Sequence, residues 1–208
     1  MNEDTKIYKI QVKGISPLIM NCAEKADPLN KWKLEADKIT AKRNKKTEVD
    51  HLKLQEIDFL GSLYWSEELN GLYMPTDNIR KMILESARAC DKMGAKKQIV
   101  GVLFTEYLGY PLITENRSNM NALKDDPRNR YFKIVGVQRS KVPKVRAIFK
   151  EWGFEFQIIV NTAIVNESTI RLWLDYAGDR VGLGDRRPYA PTPGEFGRFG
   201  IEAFEEVK

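Results

Sequence analysis

Residues 152–160 alternate with a period of two: Trp152, Phe154, Phe156, Ile158 and Val160 fall on one face, Gly153, Glu155, Gln157 and Ile159 on the other. Alternation sustained over that length predicts a strand with one buried face. A one-sided strand needs a second layer to cover it, so the neighbouring elements decide the fold. Lys6–Lys13 repeats the pattern, with Tyr8, Ile10 and Val12 on one face and Gly14 and Pro17 closing the strand. Pro75-Thr76-Asp77 caps a helix whose stripe is Ile79, Met82, Ile83, Ser86, Ala87 and Cys90. Asn166 or Ser168 caps a second helix, with Ile170, Trp173, Leu174 and Ala177 as its stripe. Phe132, Ile134 and the run to Val137 read as a strand that turns basic over 138–146, and Phe196–Val207 as a last strand.

In order these elements are strand, helix, strand, strand, helix, strand. That is the α+β, ferredoxin-like (βαββαβ) order: an antiparallel sheet with two helices packed on one face and the other face free. Two further helical stripes precede the first core helix. Asp27-Pro28 caps one, carrying Leu29, Trp32, Ala36 and Ile39 and closing on Lys42–Lys46; the other carries Val49, Leu52, Glu56, Phe59, Leu60 and Leu63. They form a helical insertion over about 27–64, followed by a hairpin turned at Asn70-Gly71, where both turn residues need positive φ. Residues 100–130 show no clean period and read as a loop insertion. One domain over 1–208 accommodates all of this.

Composition narrows the function classes. The chain has 208 residues, 34 Lys+Arg against 29 Asp+Glu, and a net charge of +5. No apolar run approaches the roughly 18 residues of a membrane span, and the polar, acidic Met1–Asp4 is unlike a secretory leader. With no membrane association expected, a cytoplasmic location follows, a bacterial host's if the chain is phage-encoded. Two cysteines, Cys22 and Cys90, and one histidine, His51, make neither a disulfide framework nor a four-ligand zinc site without carboxylate help. No cofactor is expected.

Two segments concentrate positive charge. Six of the 14 glycines, Gly178, Gly182, Gly184, Gly194, Gly197 and Gly200, interleave with Arg180, Arg186, Arg187 and Arg198 between the second helix and the last strand. Glycine permits close approach of backbone amides to a phosphate, and arginine forks onto it; equally, the glycines supply positive φ to a long turn whose arginines are solvated or pair with Asp179 and Asp185. The loop is neither a Walker nor a Rossmann motif. The second segment carries Arg139, Lys141, Lys144 and Arg146. On one strand, Arg139 and Lys141 would stand about 7 Å apart on one face, near the phosphate repeat of an extended single strand. The alternative is a solvated hairpin tip that guards a sheet edge. Both segments are expected in one small sheet, with Tyr or Phe on its open face stacking bases.

The segment Ala177-Gly178-Asp179-Arg180-Val181-Gly182-Leu183-Gly184, then Gly197-Arg198-Phe199-Gly200-Ile201, resembles the glycine-rich loop of the RAMP superfamily, the RNA-binding subunits of CRISPR effector complexes, especially their backbone subunit. Tyr73-Met74-Pro75-Thr76-Asp77-Asn78-Ile79-Arg80 resembles that family's strand ending in proline before the first helix. The Gly-Leu-Gly-Asp-Arg-Arg-Pro and Gly-Arg-Phe pattern also resembles small proteins of tailed phages and prophages. The resemblance implies a non-catalytic binder of single-stranded nucleic acid, RNA or DNA, assembling along the strand as a homo-oligomer or array. Its contact residues would be Arg139, Lys141, Lys144, Arg146, Arg180, Gly182, Gly184, Arg186, Arg187 and Arg198. One alternative is a phage-type structural or anti-defence protein with a protein partner. Another is an endoribonuclease with His51 as general base, oriented by Asp50.

Overall fold

The computed structural model describes residues 4–91, 94–137 and 140–207. In chain order its elements are β1 (Thr5–Gly14), β2 (Leu18–Ile19), α1 (Lys31–Thr40), α2 (Glu48–Leu60), β3 (Trp65–Ser66), β4 (Gly71–Pro75), α3 (Thr76–Cys90), α4 (Ala95–Gln98), β5 (Val102–Phe104), β6 (Gly109–Ile113), α5 (Met120–Asp125), β7 (Arg130–Val137), β8 (Ser140–Phe149), β9 (Gly153–Asn161), α6 (Glu167–Tyr176) and β10 (Phe199–Val207). The main sheet runs β10-β1-β9-β6-β4-β3, with β5 also on the edge of β9, and every pairing is antiparallel. Taking β5 and β6 together as one interrupted strand, the central order is last, first, third, second. This is the ferredoxin-like α+β fold, with α3 and α6 as its two helices and α1 and α2 inserted after the first strand.

Alternation places the core as the sequence predicts. Tyr8, Ile10 and Val12 of β1 and Phe154, Phe156, Ile158 and Val160 of β9 are buried against Ile79, Met82, Ile83 and Ala87 of α3 and Ile170, Trp173 and Leu174 of α6. The buried Ser86 hydroxyl donates to the Trp173 carbonyl and ties the two helices together. Asn166 caps α6, its side chain accepting from Thr169 N.

The second core strand is not the one the periodicity suggests. Residues 132–137 and 140–146 belong to two strands, β7 and β8, paired with each other, and β8 also pairs with β2 in a separate three-stranded sheet. Phe132 and Ile134 are 54% and 58% exposed, so their alternation does not mark a core face. The edge of β9 is taken by β5 and β6 instead, from within the region that reads as a loop. Each is too short to show a period. Tyr110 bridges their junction, its hydroxyl donating to the Gln157 carbonyl at 3.0 Å.

Smaller differences have local causes. Asn70 and Gly71 do have positive φ, but Ser66 pairs with Gly71, so the hairpin closes through the four residues 67–70 and Gly71 opens β4. Asn30, not Asp27, caps α1 by accepting from Trp32 N. Cys90, Val49 and Leu52 are exposed, and the last strand begins at Phe199.

Candidate nucleic-acid interface

The glycine-rich loop starts where α6 widens into a π-helical turn, Ala177–Val181, and ends at β10. It is stitched onto β2 and the residues before it. Asp185 N donates to the Ile19 carbonyl and Gly197 N to that of Pro17, both at 2.8 Å, while the Arg198 carbonyl accepts from Ile15 N. Gly182, Gly184 and Gly197 have φ near +70°. A Cβ at Gly184 would overlap the Ile19 carbonyl oxygen, one at Gly178 that of Phe199, and one at Gly194 that of Arg186. The amides of Gly182, Leu183, Asp185, Gly194 and Gly197 already donate to backbone carbonyls. These glycines serve tight packing of chain on chain, and those five amides are not left open for a phosphate.

The arginines are similarly committed. Arg180 and Arg198 both pair with Asp179, and Arg187 pairs with Glu85 at 3.1 Å. Arg186, at φ +55°, has no acidic partner among the described residues.

The basic run lies on the hairpin, outside the main sheet, which corrects the expectation of one shared sheet. Arg139 falls outside the described residues. Lys141 stands opposite Gly136 and is exposed; Lys144 stands opposite Lys133. The loop and hairpin nevertheless meet. Arg146 forms an ion pair with Asp185, and the Tyr131 ring stands edge-on to Phe196 at 5.4 Å. Tyr131, Lys133 and Val135 of β7, Lys144 and Arg146 of β8 and Arg186 of the loop line one small cleft of about 10 Å³, room for about one water. Beneath it Asp58 is shared between Lys144, at 3.4 Å, and the half-buried Lys25. Burial lowers the Arg146 pKa, and the neighbouring Arg186 charge lowers it further. Burial likewise lowers that of Lys25, with Asp58 opposing the shift. Like charges are crowded here, and an anion would relieve them.

On the other side of Asp185–Arg187 lies a pocket of about 190 Å³, walled by Gly182–Gly184, Arg187, Tyr64, Asn21 and the α3 residues Asn78, Lys81 and Met82. Sequence reasoning missed these last five, because three separate segments supply them. Only Lys81 left a signal, a cation off the apolar stripe of α3.

The open face of the main sheet differs from expectation. Tyr8, Phe154, Phe156 and Phe199 are buried on the helix side, where Phe204 packs on Tyr8 at 4.8 Å. The open face instead carries Leu103, Ile159, Ile7 and Val207 in register across four strands, beside the Lys9–Glu155 and Lys13–Glu202 ion pairs. His51 is exposed on α2, and the Asp50 carboxylate is turned to Lys42 at 2.6 Å and to Thr47. The structure therefore does not pair Asp50 with His51. Among the described residues no helix is long and apolar enough to cross a membrane, and no three His, Cys, Asp or Glu side chains gather to hold a metal.

No family model and no curated protein matches the chain. Among solved structures it is similar to a chain of the cryo-EM structure of the type III-B Cmr-beta bound to cognate target RNA, at TM-score 0.58 and 12% identity. The match covers 99% of this chain and 61% of that one, so this chain spans about three fifths of that chain's length. At this identity the likeness is one of fold alone.

Proposed function

We propose that this chain is a non-catalytic binder of single-stranded RNA that works within a multisubunit assembly. The observation that carries this reading is the cleft where Lys133, Lys144, Arg146 and Arg186 converge from two strands and a loop. Lys133 and Arg186 have no acidic partner among the described residues, so a phosphate there gains two cations without breaking an ion pair. The similar chain belongs to a structure bound to target RNA, which favours RNA over DNA as the ligand. Four neutralised phosphates give a slope of log affinity on log salt of −0.7 × 4, about −3. The test is fluorescence anisotropy of a labelled single-stranded RNA across a salt series. Unchanged anisotropy at low salt would exclude the reading.

A second reading, docking of a protein, is favoured by the apolar row on the open sheet face, where ion pairs flank Leu103, Ile159, Ile7 and Val207. Both readings hold together in a subunit that grips RNA on one side and a neighbour on the other.

A further inference from the structure

The pocket beside the glycine-rich loop has a chemistry different from that of the cleft. Its lining is mostly polar, with the buried Met82 and Leu183 supplying a smaller apolar part and Tyr64 an aromatic side chain. That ring is itself braced: its hydroxyl donates to the Asn21 carbonyl at 3.3 Å, and it stands edge-on to Tyr73 at 6.1 Å. Two side-chain amides belong to the lining. Asn21 makes no side-chain hydrogen bond among the described residues, and Asn78 lies beside the Tyr64 hydroxyl. The charges present do not favour a phosphate inside. Arg187 is neutralised by Glu85, and Asp185 adds a carboxylate to the lining, leaving Lys81 as the one lining cation without an acidic partner among the described residues. A polar lining with two side-chain amides, an aromatic side chain and a small apolar part suits the edge and face of a nucleobase. At about 190 Å³ the space is below the roughly 300 Å³ at which pockets for drug-sized ligands begin, which limits the occupant to about one ring system.

We propose that this pocket takes one nucleobase, turned out of the strand whose phosphates lie in the cleft. The two concavities are lined by consecutive residues of one loop. Arg186 faces the cleft while Asp185 and Arg187 line the pocket, and consecutive Cα atoms are about 3.8 Å apart. A nucleotide whose phosphate meets Arg186 would place its base against the adjoining pocket, which Asp185 and Arg187 line. The proposal rests on the RNA-binding reading for the identity of the strand, and mononucleotides test the pocket separately.

The experiment titrates the full chain with each of the four nucleoside 5′-monophosphates and with ribose 5-phosphate, followed by NMR of the Asn21 and Asn78 side-chain amides. At least one nucleotide should bind about tenfold or more tighter than ribose 5-phosphate, the size of one well-made base contact. Asn78→Ala and Asn21→Ala, both at positions outside the core, should each remove about that preference while circular dichroism stays unchanged. Equal binding of ribose 5-phosphate and the nucleotides would overturn the proposal, as would no binding at millimolar concentration, or an undiminished preference in both variants. Anisotropy with labelled single-stranded RNA separates the two claims. Strand binding without base preference sinks the pocket and leaves the cleft; base preference without strand binding supports the pocket and sinks the cleft.

Discussion

A methyl group at Gly184 would meet the Ile19 carbonyl at a φ of +76°, a conformation L side chains rarely adopt. Gly184→Ala should therefore destabilise the protein by more than about 1 kcal/mol, seen as a lower midpoint in urea denaturation. Ser62 makes a different kind of joint. Its buried hydroxyl accepts from Ala147 N at 2.9 Å and donates to the Phe59 carbonyl at 2.6 Å, linking α2 to β8. Ser62→Ala leaves a buried backbone donor unsatisfied and should cost about 1–3 kcal/mol in the same measurement. Arg186 is a residue of binding rather than stability. Arg186→Glu should weaken RNA binding at least tenfold and make the salt slope shallower by about 1, with no change in the urea midpoint. An affinity unaffected by that reversal would remove the cleft from consideration.

At the scale of elements, α2 begins with a reciprocal cap: the Thr47 hydroxyl accepts from Asp50 N while the Asp50 carboxylate accepts from Thr47 N at 3.0 Å. The Lys42 ammonium, and after it the Thr47 amide, hold the Asp50 pKa down at about 2. A folded-state pKa below the unfolded value means stability present above about pH 4 and lost as the pH falls toward 2. Urea midpoints should drop across that window, and Asp50→Asn should flatten the drop; an identical acid limb in the variant would show that other groups set it. Helices and strands of this kind were legible in the sequence where their periods ran long enough. The stripes of α3 and α6 and the alternation of β1 and β9 each repeat over at least ten or nine residues, and burial follows them. β5 and β6 have three and five residues, too few for a period to emerge, while β7 and β8 read as one strand because Gln138-Arg139 between them carries no turn signal.

At the scale of the whole molecule, the positive charge is divided between a main-sheet fold and a hairpin sheet joined to it through β2 and the Arg146–Asp185 ion pair. Breaking that joint should affect both halves of the interface. Asp185→Asn should leave the main fold intact by circular dichroism while loosening the hairpin, read as faster amide hydrogen exchange over β7 and β8. Exchange unchanged from wild type would mean that strand pairing alone holds the hairpin. The sequence by itself determined which faces of the long elements are buried, and so the α+β class, both core helices and three of the four core strands. Those properties depend on neighbours one helical turn or two strand residues away. Only the tertiary structure decided which segment pairs with the edge of β9, which arginines find an acid, and that Tyr64, Asn78 and Lys81 share a pocket with the loop. Each of these is a competition among partners far apart in the chain, and the winner is set by space and charge once the layers have packed.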